Sequence, residues 1–258
     1  QKGNFGHAAI AAGEKAGAAI IAGQAALAFG AGLSTIVETE TGTAARFKLP
    51  PDLMIEKSFP KNTTAILLGS GFGRDRTEAF QSVCAQFETH KGAGIVLDAD
   101  SFYYGDIVKL LDALSKRRMR VILTPHPKEF QSLLKLCALG DYTIGQLADD
   151  RIEIVKKFSK RFPHIVLVLK GANTVIASER GVFVSVEGNQ SLAKAGSGDV
   201  LAGLVCALLA QQYDAEDAAV TAVLAHGIAS QRFARAYDLT PPKLIDAVGK
   251  LRNEPQQV

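Results

Sequence analysis

The sequence predicts an α/β fold in which helices cover both faces of a mostly parallel β-sheet. Short, nearly all-apolar segments alternate along most of the chain with segments of helical periodicity, a pattern typical of buried parallel strands joined by helices. The chain has 258 residues, of which 47% are hydrophobic and 21% charged, so it is long enough to bury a large core. We expect one domain over residues 1–258.

The strands are predicted from apolar runs that end in glycine or polar residues. In chain order they are residues 33–38, 65–68, 95–97, 121–123 and 165–169, followed by a hairpin of 174–177 and 182–185. Helices are predicted where alanine is abundant or where apolar residues recur at helical spacing. They comprise a segment within 13–32, a segment through 80–87, and residues 107–114, 144–162, 200–211 and 217–236.

The composition argues against nucleic-acid and membrane partners. The formal net charge is +3, and Lys and Arg do not cluster with aromatic residues, as a nucleic-acid surface requires. No apolar stretch reaches the ~20 residues that cross a bilayer. Three separated cysteines, Cys84, Cys137 and Cys206, suit a reducing compartment, so we expect a cytoplasmic protein. Because the chain begins with Gln rather than Met, we expect the native amino terminus to be missing or processed.

Glycine and polar residues follow four of the predicted strands at the point where each strand ends. They are residues 69–71, Asp98, residues 124–129 and Lys170-Gly171. Ligands of open α/β sheets bind outside the carboxyl ends of the strands, so the sequence predicts a binding site at this edge. Asp98 and Asp100 either bind a metal ion there or begin a turn.

The segment Ala195-Gly196-Ser197-Gly198-Asp199 precedes a predicted helix. Glycines on both sides of Ser197 let the backbone approach an anion closely, and the helix start directs free N–H groups at it. We interpret Gly196, Ser197 and Gly198 as an anion hole and Asp199 as the base that accepts the proton of a reacting hydroxyl. The alternative is that Asp199 only caps the helix.

Two further segments at strand ends are candidate ligand contacts. The loop 170–174 either forms a plain turn before the hairpin or holds nucleotide phosphates. His126 lies between two prolines, which keep it extended, and we predict that it contacts a ligand. Glu129 either holds Mg²⁺ through water, since Mg²⁺ keeps several waters, or supports the start of the following helix.

These motifs together resemble those of the ribokinase-like superfamily, and more narrowly the ADP/ATP-dependent NAD(P)H-hydrate dehydratases, over nearly the whole chain. The main departures are QSL at 190–192 and KA at 194–195, where the family usually has PGM and TG. Because the glycines around Ser197 and Asp199 itself are kept, we expect activity to survive. The segments that resemble the family's motifs are KGNFGH at 2–7, GSGFG at 69–73, DAD at 98–100, TPHPKEF at 124–130, KGANT at 170–174 and GSGD at 196–199.

The resemblance implies a three-layer ribokinase-like sandwich and a role for each motif. Asp199 would be the catalytic base and would also touch the substrate, whose ring pocket would be lined by Ala18, Gly71 and His126. The residues implied for nucleotide binding are Lys170, Gly171, Ala172, Asn173, Thr174 and Gly198.

The implied substrate is (6S)-NAD(P)H hydrate, whose ring hydroxyl is phosphorylated before phosphate leaves and the ring double bond re-forms. The resemblance also implies Mg²⁺, ADP or ATP as the phosphoryl donor with ADP usual in bacterial members, and a homo-oligomer, commonly a tetramer. It is compatible with a fused epimerase domain upstream. Two alternatives stay open: a ribokinase-like kinase for a vitamin precursor, and a non-catalytic nucleotide sensor, against which the retained Asp199 argues.

Overall fold

The computed structural model describes residues 2–39, 47–235 and 237–251 of the chain. Within them, nine strands pair in one sheet. The strands are β1 (His7–Ala12), β2 (Leu33–Glu38), β3 (Met54–Glu56), β4 (Ala65–Leu68), β5 (Gly94–Leu97), β6 (Val121–Leu123), β7 (Ile165–Leu169), β8 (Val175–Ser178) and β9 (Gly181–Val184).

The strand order across the sheet is β3-β2-β1-β4-β5-β6-β7-β8-β9. All neighbours from β3 to β7 are parallel, whereas β8 and β9 extend the sheet as an antiparallel hairpin. Parallel strands have their carboxyl ends at the same edge, so the segments that follow β4, β5, β6 and β7 lie side by side. The mostly parallel sheet and the hairpin predicted from the sequence are confirmed.

Nine α-helices connect or flank these strands in the described residues, and none of them is long and apolar enough to cross a membrane. They are α1 (Ala16–Ala28), α2 (Thr77–Gln86), α3 (Ile107–Lys116), α4 (Pro127–Leu136), α5 (Ile144–Asp149), α6 (Arg151–Arg161), α7 (Ser197–Ala210), α8 (Ala215–Ser230) and α9 (Pro241–Gly249).

Each face of the sheet has its own hydrophobic core. Strand β1 shows the division, since Ala8 and Ile10 point into one core and Ala9 and Ala11 into the other, as the alternation of a pleated strand requires. The first core contains residues of α1, α7, α8 and α9, and the second contains residues of α2 to α6. Helices therefore form a layer on both faces, as the sequence predicted.

Helices α1 and α7 lie in backbone contact within the first core. A Cβ placed on Gly203 of α7 would lie 2.3 Å from the carbonyl oxygen of Ala22 and 2.8 Å from the Cβ of Ala25 in α1. No side chain fits between the helices at this point, which explains the run of alanine and glycine in α1. The middle of α7 is thereby fixed against α1, and at the start of α7 a Cβ on Gly196 would lie 3.5 Å from the Cδ1 of Ile21 in α1.

Two predicted helices differ from the structure. The helix predicted over 144–162 is wrong, because α5 and α6 meet at Asp150, whose φ of −105° and ψ of 16° are not helical. Helix α5 has its own start signal, a capping box in which Thr143 and Gln146 bond each other's backbone amides. The helix predicted over 217–236 instead spans α8, and residue 236 lies outside the described residues.

The strands β1 and β3 and the helix α9 were not predicted, and α4 was predicted only as a helix after Glu129, without bounds. The central strand β1 has the sequence HAAIAA, and alanine has a weak strand propensity. It is nevertheless buried along its whole length, so burial between two strands and two helical layers decides its conformation.

Candidate active site

Four strand ends bring the predicted polar residues together at one edge of the sheet. Ser70 follows β4, Asp98 follows β5, Thr124 follows β6 and Lys170 follows β7. Because β4 to β7 are consecutive in the sheet, these four side chains converge. The sequence expectation that the strand ends form one site agrees with this geometry.

Asp98 and Lys170 form a buried ion pair at the centre of this edge. The Lys170 Nζ atom lies 2.9 Å from Asp98 Oδ1, and Asp98 is only 1% exposed. The hydroxyl of Thr124 donates to Oδ1 at 2.7 Å and that of Ser70 donates to Oδ2 at 3.1 Å. With both oxygens engaged, Asp98 anchors the lysine. Asp98 also precedes the 3-10 helix Ala99–Tyr103 as its N-cap, in agreement with the predicted turn, and metal binding by Asp98 stays a prediction.

Asp100 has a separate structural role. Its Oδ2 accepts a hydrogen bond from the Gly73 amide at 2.9 Å, and its Oδ1 lies 3.3 Å from Arg74 Nε. These contacts close the turn after β4, so Asp100 supports the loop that carries Gly71.

His126 and Glu129 cap helix α4 in a reciprocal arrangement. The His126 amide donates to Glu129 Oε2 at 2.7 Å, the Glu129 amide donates to His126 Nδ1 at 3.3 Å, and His126 Nε2 lies 2.8 Å from Glu129 Oε1. The predicted support of the helix start by Glu129 is confirmed. Its Oε2 also lies 3.8 Å from Lys170 Nζ, which joins the cap to the buried ion pair.

The start of α7 faces the same edge and depends on a left-handed glycine. Gly196 is the N-cap with a φ of 87°, and a Cβ there would lie 2.5 Å from the Cγ of Pro241. Asp199 is in the first turn, three residues after the cap. The reading of Asp199 as a mere N-cap is therefore wrong.

The amides of Gly198 and Asp199 are the free donors of this helix start. The Ser197 amide donates to the carbonyl of Lys194 at 3.2 Å, so Ser197 does not contribute its amide to an anion in this structure. Within the described residues no acceptor binds the amides of Gly198 and Asp199. A Cβ on Gly198 would lie 3.4 Å from Lys170 Nζ, so Gly198 lies next to the ammonium group.

Asp199 is electrostatically unusual. Burial, followed by the charge of Asp98, raises the pKa of Asp199 from 3.8 to about 6, and the nearby Lys170 opposes this shift. A carboxyl with such a pKa can exchange a proton near neutral pH, as a general base must.

Lys170 keeps its charge in the same surroundings. Burial lowers the pKa of Lys170, but the charges of Asp98 and Glu129 outweigh it and raise the pKa above the ordinary 10.5. The site therefore presents a fixed cation and free amides next to a base, an arrangement suited to a transferring phosphoryl group.

The loop from Gly171 to Thr174 lies on the solvent side of Lys170. Gly171 and Ala172 are exposed, and no atom lies within 4 Å of a Cβ placed on Gly171. The loop is held by Arg151, which donates to the Asn173 carbonyl at 3.2 Å, and by the Ser185 amide, which donates to the Thr174 carbonyl at 2.9 Å. Its open face leaves room for a ligand above the ion pair.

Ala18 and Gly71, predicted to line one pocket, are in contact. A Cβ on Gly71 would lie 3.0 Å from the Cβ of Ala18 and 2.5 Å from the carbonyl oxygen of Lys15. With a φ of 61° as well, position 71 excludes any side chain. The imidazole of His126 is 43% exposed and belongs to the end of β6, and it joins the other site residues through Glu129.

One buried residue at the site was missed by the sequence reading. His226 in α8 lies behind the start of α7, with its Nε2 3.0 Å from the Ser197 carbonyl oxygen. Only its position within a helix of small residues is visible in the sequence, and such a position is typical of a core histidine.

The described side chains do not form a complete coordination shell for the Mg²⁺ that the family resemblance implies. No group of three or more His, Cys, Asp or Glu residues in the described part of the chain is arranged to hold a metal ion. Both oxygens of Asp98 and of Glu129 are already hydrogen-bonded or ion-paired. These residues fit Mg²⁺ only through water, an arrangement that is normal for Mg²⁺ bound to nucleotide phosphates.

Comparison with known proteins relates the chain to curated enzymes. The chain is 41% identical over 251 residues to the bifunctional NAD(P)H-hydrate repair enzyme of Helicobacter pylori, an alignment that covers 97% of this chain and 50% of that protein. It is 32% identical over 237 residues to the ADP-dependent (S)-NAD(P)H-hydrate dehydratase of Neisseria meningitidis, covering 89% and 77% of the two chains. The chain thus spans about half the length of the bifunctional relative.

A solved structure gives the same relationship. The Bacillus subtilis ADP/ATP-dependent NAD(P)H-hydrate dehydratase, co-crystallised with ATP and Mg²⁺, superposes with a TM-score of 0.77 at 29% identity, over 96% of this chain and 89% of that one. The ribokinase-like fold predicted from the sequence is confirmed. The sequence profile of the NAD(P)H-hydrate dehydratases matches residues 8–250, and the chain belongs to that family.

Proposed function

We propose that this chain converts (6S)-NAD(P)H hydrate to NAD(P)H in a nucleotide-dependent dehydration that repairs the damaged cofactor. The observation that carries this proposal is the placement of the Asp199 carboxyl, with its raised pKa, in the same helix turn as the free amide of Gly198, beside the Lys170 ammonium. A base, an anion-binding amide and a fixed cation are what phosphoryl transfer to a hydroxyl needs.

The reaction has two stages. The substrate's ring hydroxyl oxygen forms a bond to the terminal phosphorus of the nucleotide, the bond from that phosphorus to the departing nucleotide oxygen breaks, and Asp199 accepts the hydroxyl proton. The lone pair of the ring nitrogen then expels phosphate, which leaves with the carbon–oxygen bonding electrons. Loss of a proton from the adjacent ring carbon to solvent re-forms the double bond.

The nucleotide phosphates lie between Gly198 and the loop 170–174 in this proposal. The loop 170–174 follows β7, whereas Gly198 lies in the first turn of α7. A Cβ placed on Gly198 would lie 3.4 Å from the Lys170 Nζ atom, so the two segments are neighbours. The nucleotide-binding set is Lys170, Gly171, Ala172, Asn173, Thr174 and Gly198. The remaining anion-hole positions, Gly196 and Ser197, shape the turn that presents the Gly198 amide.

The hydrate occupies the opposite side of Asp199 in this proposal. Ala18 and Gly71 supply a flat wall, because position 71 has no room for a side chain, and a flat wall suits the face of a pyridine ring. The half-exposed imidazole of His126 contacts the ring or its carboxamide from the end of β6.

Mg²⁺ would be held mainly by the phosphates, with Glu129 reached through water. When bound, it would supply positive charge that neutralises the phosphates. We propose ADP as the donor, giving AMP, with ATP as the alternative.

We further propose a single catalytic domain over residues 1–258, acting in the cytoplasm as a homo-oligomer, with a tetramer favoured. An upstream epimerase domain in the parent protein is supported by the twofold length of the bifunctional relative. The charge of +3 gives no support to a nucleic-acid partner.

A direct assay tests the proposed function. The protein is incubated with NADH hydrate and Mg²⁺, and with ADP, ATP or no nucleotide, while the recovered absorbance of NADH is followed. We expect recovery with a nucleotide only, together with stoichiometric AMP when ADP is the donor. Tight nucleotide binding without recovery of NADH would identify a sensor, and phosphorylation of hydroxyethylthiazole or pyridoxal instead would identify a vitamin-precursor kinase.

A further inference from the structure

A buried histidine bonds the backbone of the helix turn that carries the free amides. His226 is 7% exposed, and its Nε2 lies 3.0 Å from the carbonyl oxygen and 3.3 Å from the hydroxyl oxygen of Ser197. A carbonyl oxygen can only accept a hydrogen bond. The Nε2 atom must therefore carry the proton and donate it to Ser197.

The carbonyl of Ser197 and the amide of Gly198 belong to the same peptide group. In a trans peptide the C=O and N–H bonds point to opposite sides, and no peptide bond in the described residues is cis. While the carbonyl is held by His226, the amide points away from it. Gly198 itself neighbours the Lys170 ammonium, which lies 3.4 Å from a Cβ placed on Gly198.

We propose that His226 is a positioning residue that holds the Ser197–Gly198 peptide with its N–H directed at the transferring phosphoryl group. The proposal rests on the proposed function for the identity of that anion. His226 touches neither ligand in this arrangement and acts through the peptide group.

The hydrogen bond has a second effect on the Gly198 amide. A donor bound to a carbonyl oxygen polarises the peptide group, and chains of hydrogen bonds strengthen one another in a low-dielectric interior. The Gly198 N–H becomes a stronger donor, and its orientation is fixed before the ligand arrives. Preorganised donors of this kind stabilise charge that develops in a transition state.

The state of the imidazole suits this role. Burial lowers the pKa of His226 to about 4, and the charge of Lys170 acts in the same direction. The ring therefore stays neutral at physiological pH and adds no charge to compete with Lys170 for the phosphates.

Three substitutions separate positioning from simple core packing. In His226→Gln, the side-chain amide nitrogen is separated from Cα by the same number of bonds as Nε2 in histidine. The glutamine can therefore donate a hydrogen bond to Ser197. His226→Asn has a similar polarity but is too short to reach. Val223→Ala removes buried volume from the same helix, since Val223 is 5% exposed, without touching Ser197.

The readouts are kcat with NADH hydrate, the Kd for ADP, and the amide resonance of Gly198 in a ¹⁵N spectrum. We expect His226→Asn to lower kcat by about 10- to 100-fold, below the loss for deleting a whole anion-hole donor, and to move the Gly198 resonance. His226→Gln should restore both, while Val223→Ala lowers the melting temperature and leaves both unchanged.

A wild-type kcat and an unmoved Gly198 resonance in His226→Asn would overturn the proposal. So would a kcat loss in Val223→Ala equal to that in His226→Asn, because packing would then explain both. If the wild-type protein does not dehydrate the hydrate, the proposed function fails by itself. The Gly198 resonance and the ADP affinity of the Gln and Asn variants then decide the positioning role separately.

Discussion

The ammonium nitrogen of Lys170 lies 2.9 Å from the Asp98 carboxylate, at the ends of β7 and β5, which are separated by one strand in the sheet. A buried charge is tolerated only when it is paired. The pairing with Asp98 therefore allows a charged lysine to be buried beside the start of α7. The same cation lowers the pKa of Asp199 against the effects of burial and Asp98. Asp98 and Lys170 therefore act in opposite directions on the pKa of Asp199, which motivates the predictions below.

Asp199→Asn should abolish catalysis while leaving the fold intact. Asparagine has nearly the same shape but cannot accept a proton, so kcat should fall by about 10²–10⁴-fold. The Kd for ADP, measured by calorimetric titration, should stay the same or decrease, because removal of a carboxylate relieves repulsion with phosphates. Retention of more than about a tenth of wild-type kcat, outside the range for loss of a general base, would show that Asp199 is not the base.

The pH dependence of kcat/KM should report the ionisation of Asp199 in the free protein. A general base acts in its ionised form, and the pKa of Asp199 is about 6. We expect kcat/KM to fall as the pH drops through about 6, in a steady-state series with NADH hydrate.

Lys170→Met provides the control for this pH profile. Because the Lys170 charge lowers the pKa of Asp199, its removal should move the fall in kcat/KM to higher pH. A profile that stays in place in Lys170→Met would assign the titration to another group.

Asp199 should also make folding less favourable above its pKa. Its folded-state pKa of about 6 exceeds the ordinary 3.8, so the folded state binds the proton more tightly than the unfolded state. The resulting stability is complete below pH 3.8 and is lost as the pH rises through about 6. Asp199→Asn should therefore raise the free energy of unfolding at pH 8 by about 1–3 kcal/mol, measured by urea denaturation, and the gain should vanish at low pH.

Gly196→Ala should destabilise the protein, whereas Gly171→Ala should not. An alanine at position 196 must adopt a φ of 87° and overlap Pro241, a cost of about 1–3 kcal/mol for the backbone alone. Position 171 has no atom within 4 Å of a new Cβ. The melting temperatures of the two variants should be measured by thermal unfolding, since the two glycines come from the two segments of the proposed nucleotide site. Equal melting temperatures would show that the turn at Gly196 does not require glycine.

His126→Ala should weaken hydrate binding more than ADP binding. It should also lower stability by about 1 kcal/mol, since the imidazole caps α4 and loss of a cap costs that much. His126→Asn keeps a capping residue, so it should restore stability without restoring hydrate affinity. Equal loss of affinity for both ligands in the two variants would remove His126 from the substrate pocket.

The sequence allowed most of the fold to be predicted, because the strands β4 to β7 are short apolar runs with clear polar ends. It did not allow β1 to be predicted, since six residues that include four alanines and no β-branched residue except Ile10 carry almost no local strand signal. The break between α5 and α6 at Asp150 could not be predicted either, because no glycine or proline occurs there.

In the candidate site, too, only residues with a local sequence signal could be predicted. Asp199, Lys170 and Gly198 lie in segments whose glycines and charges stand out at strand or helix ends, and they were predicted. The pairing of Asp98 with Lys170 spans 72 positions and becomes visible only when the strand order is known. His226 gives no local sign at all, because its function depends on one carbonyl from another helix.

The contact between Gly203 and Ala22 determines which parts of the site can move. Since α1 and α7 touch through their backbones, the wall at Ala18 and the amide at Gly198 belong to one stiff body. Gly71 is tied to the same body, because the Lys15 amide donates to the Gly71 carbonyl at 2.8 Å. A new ring specificity would consequently be introduced more easily from the side of His126, whose imidazole is 43% exposed. The proposed phosphate end of the site is therefore its stiff part.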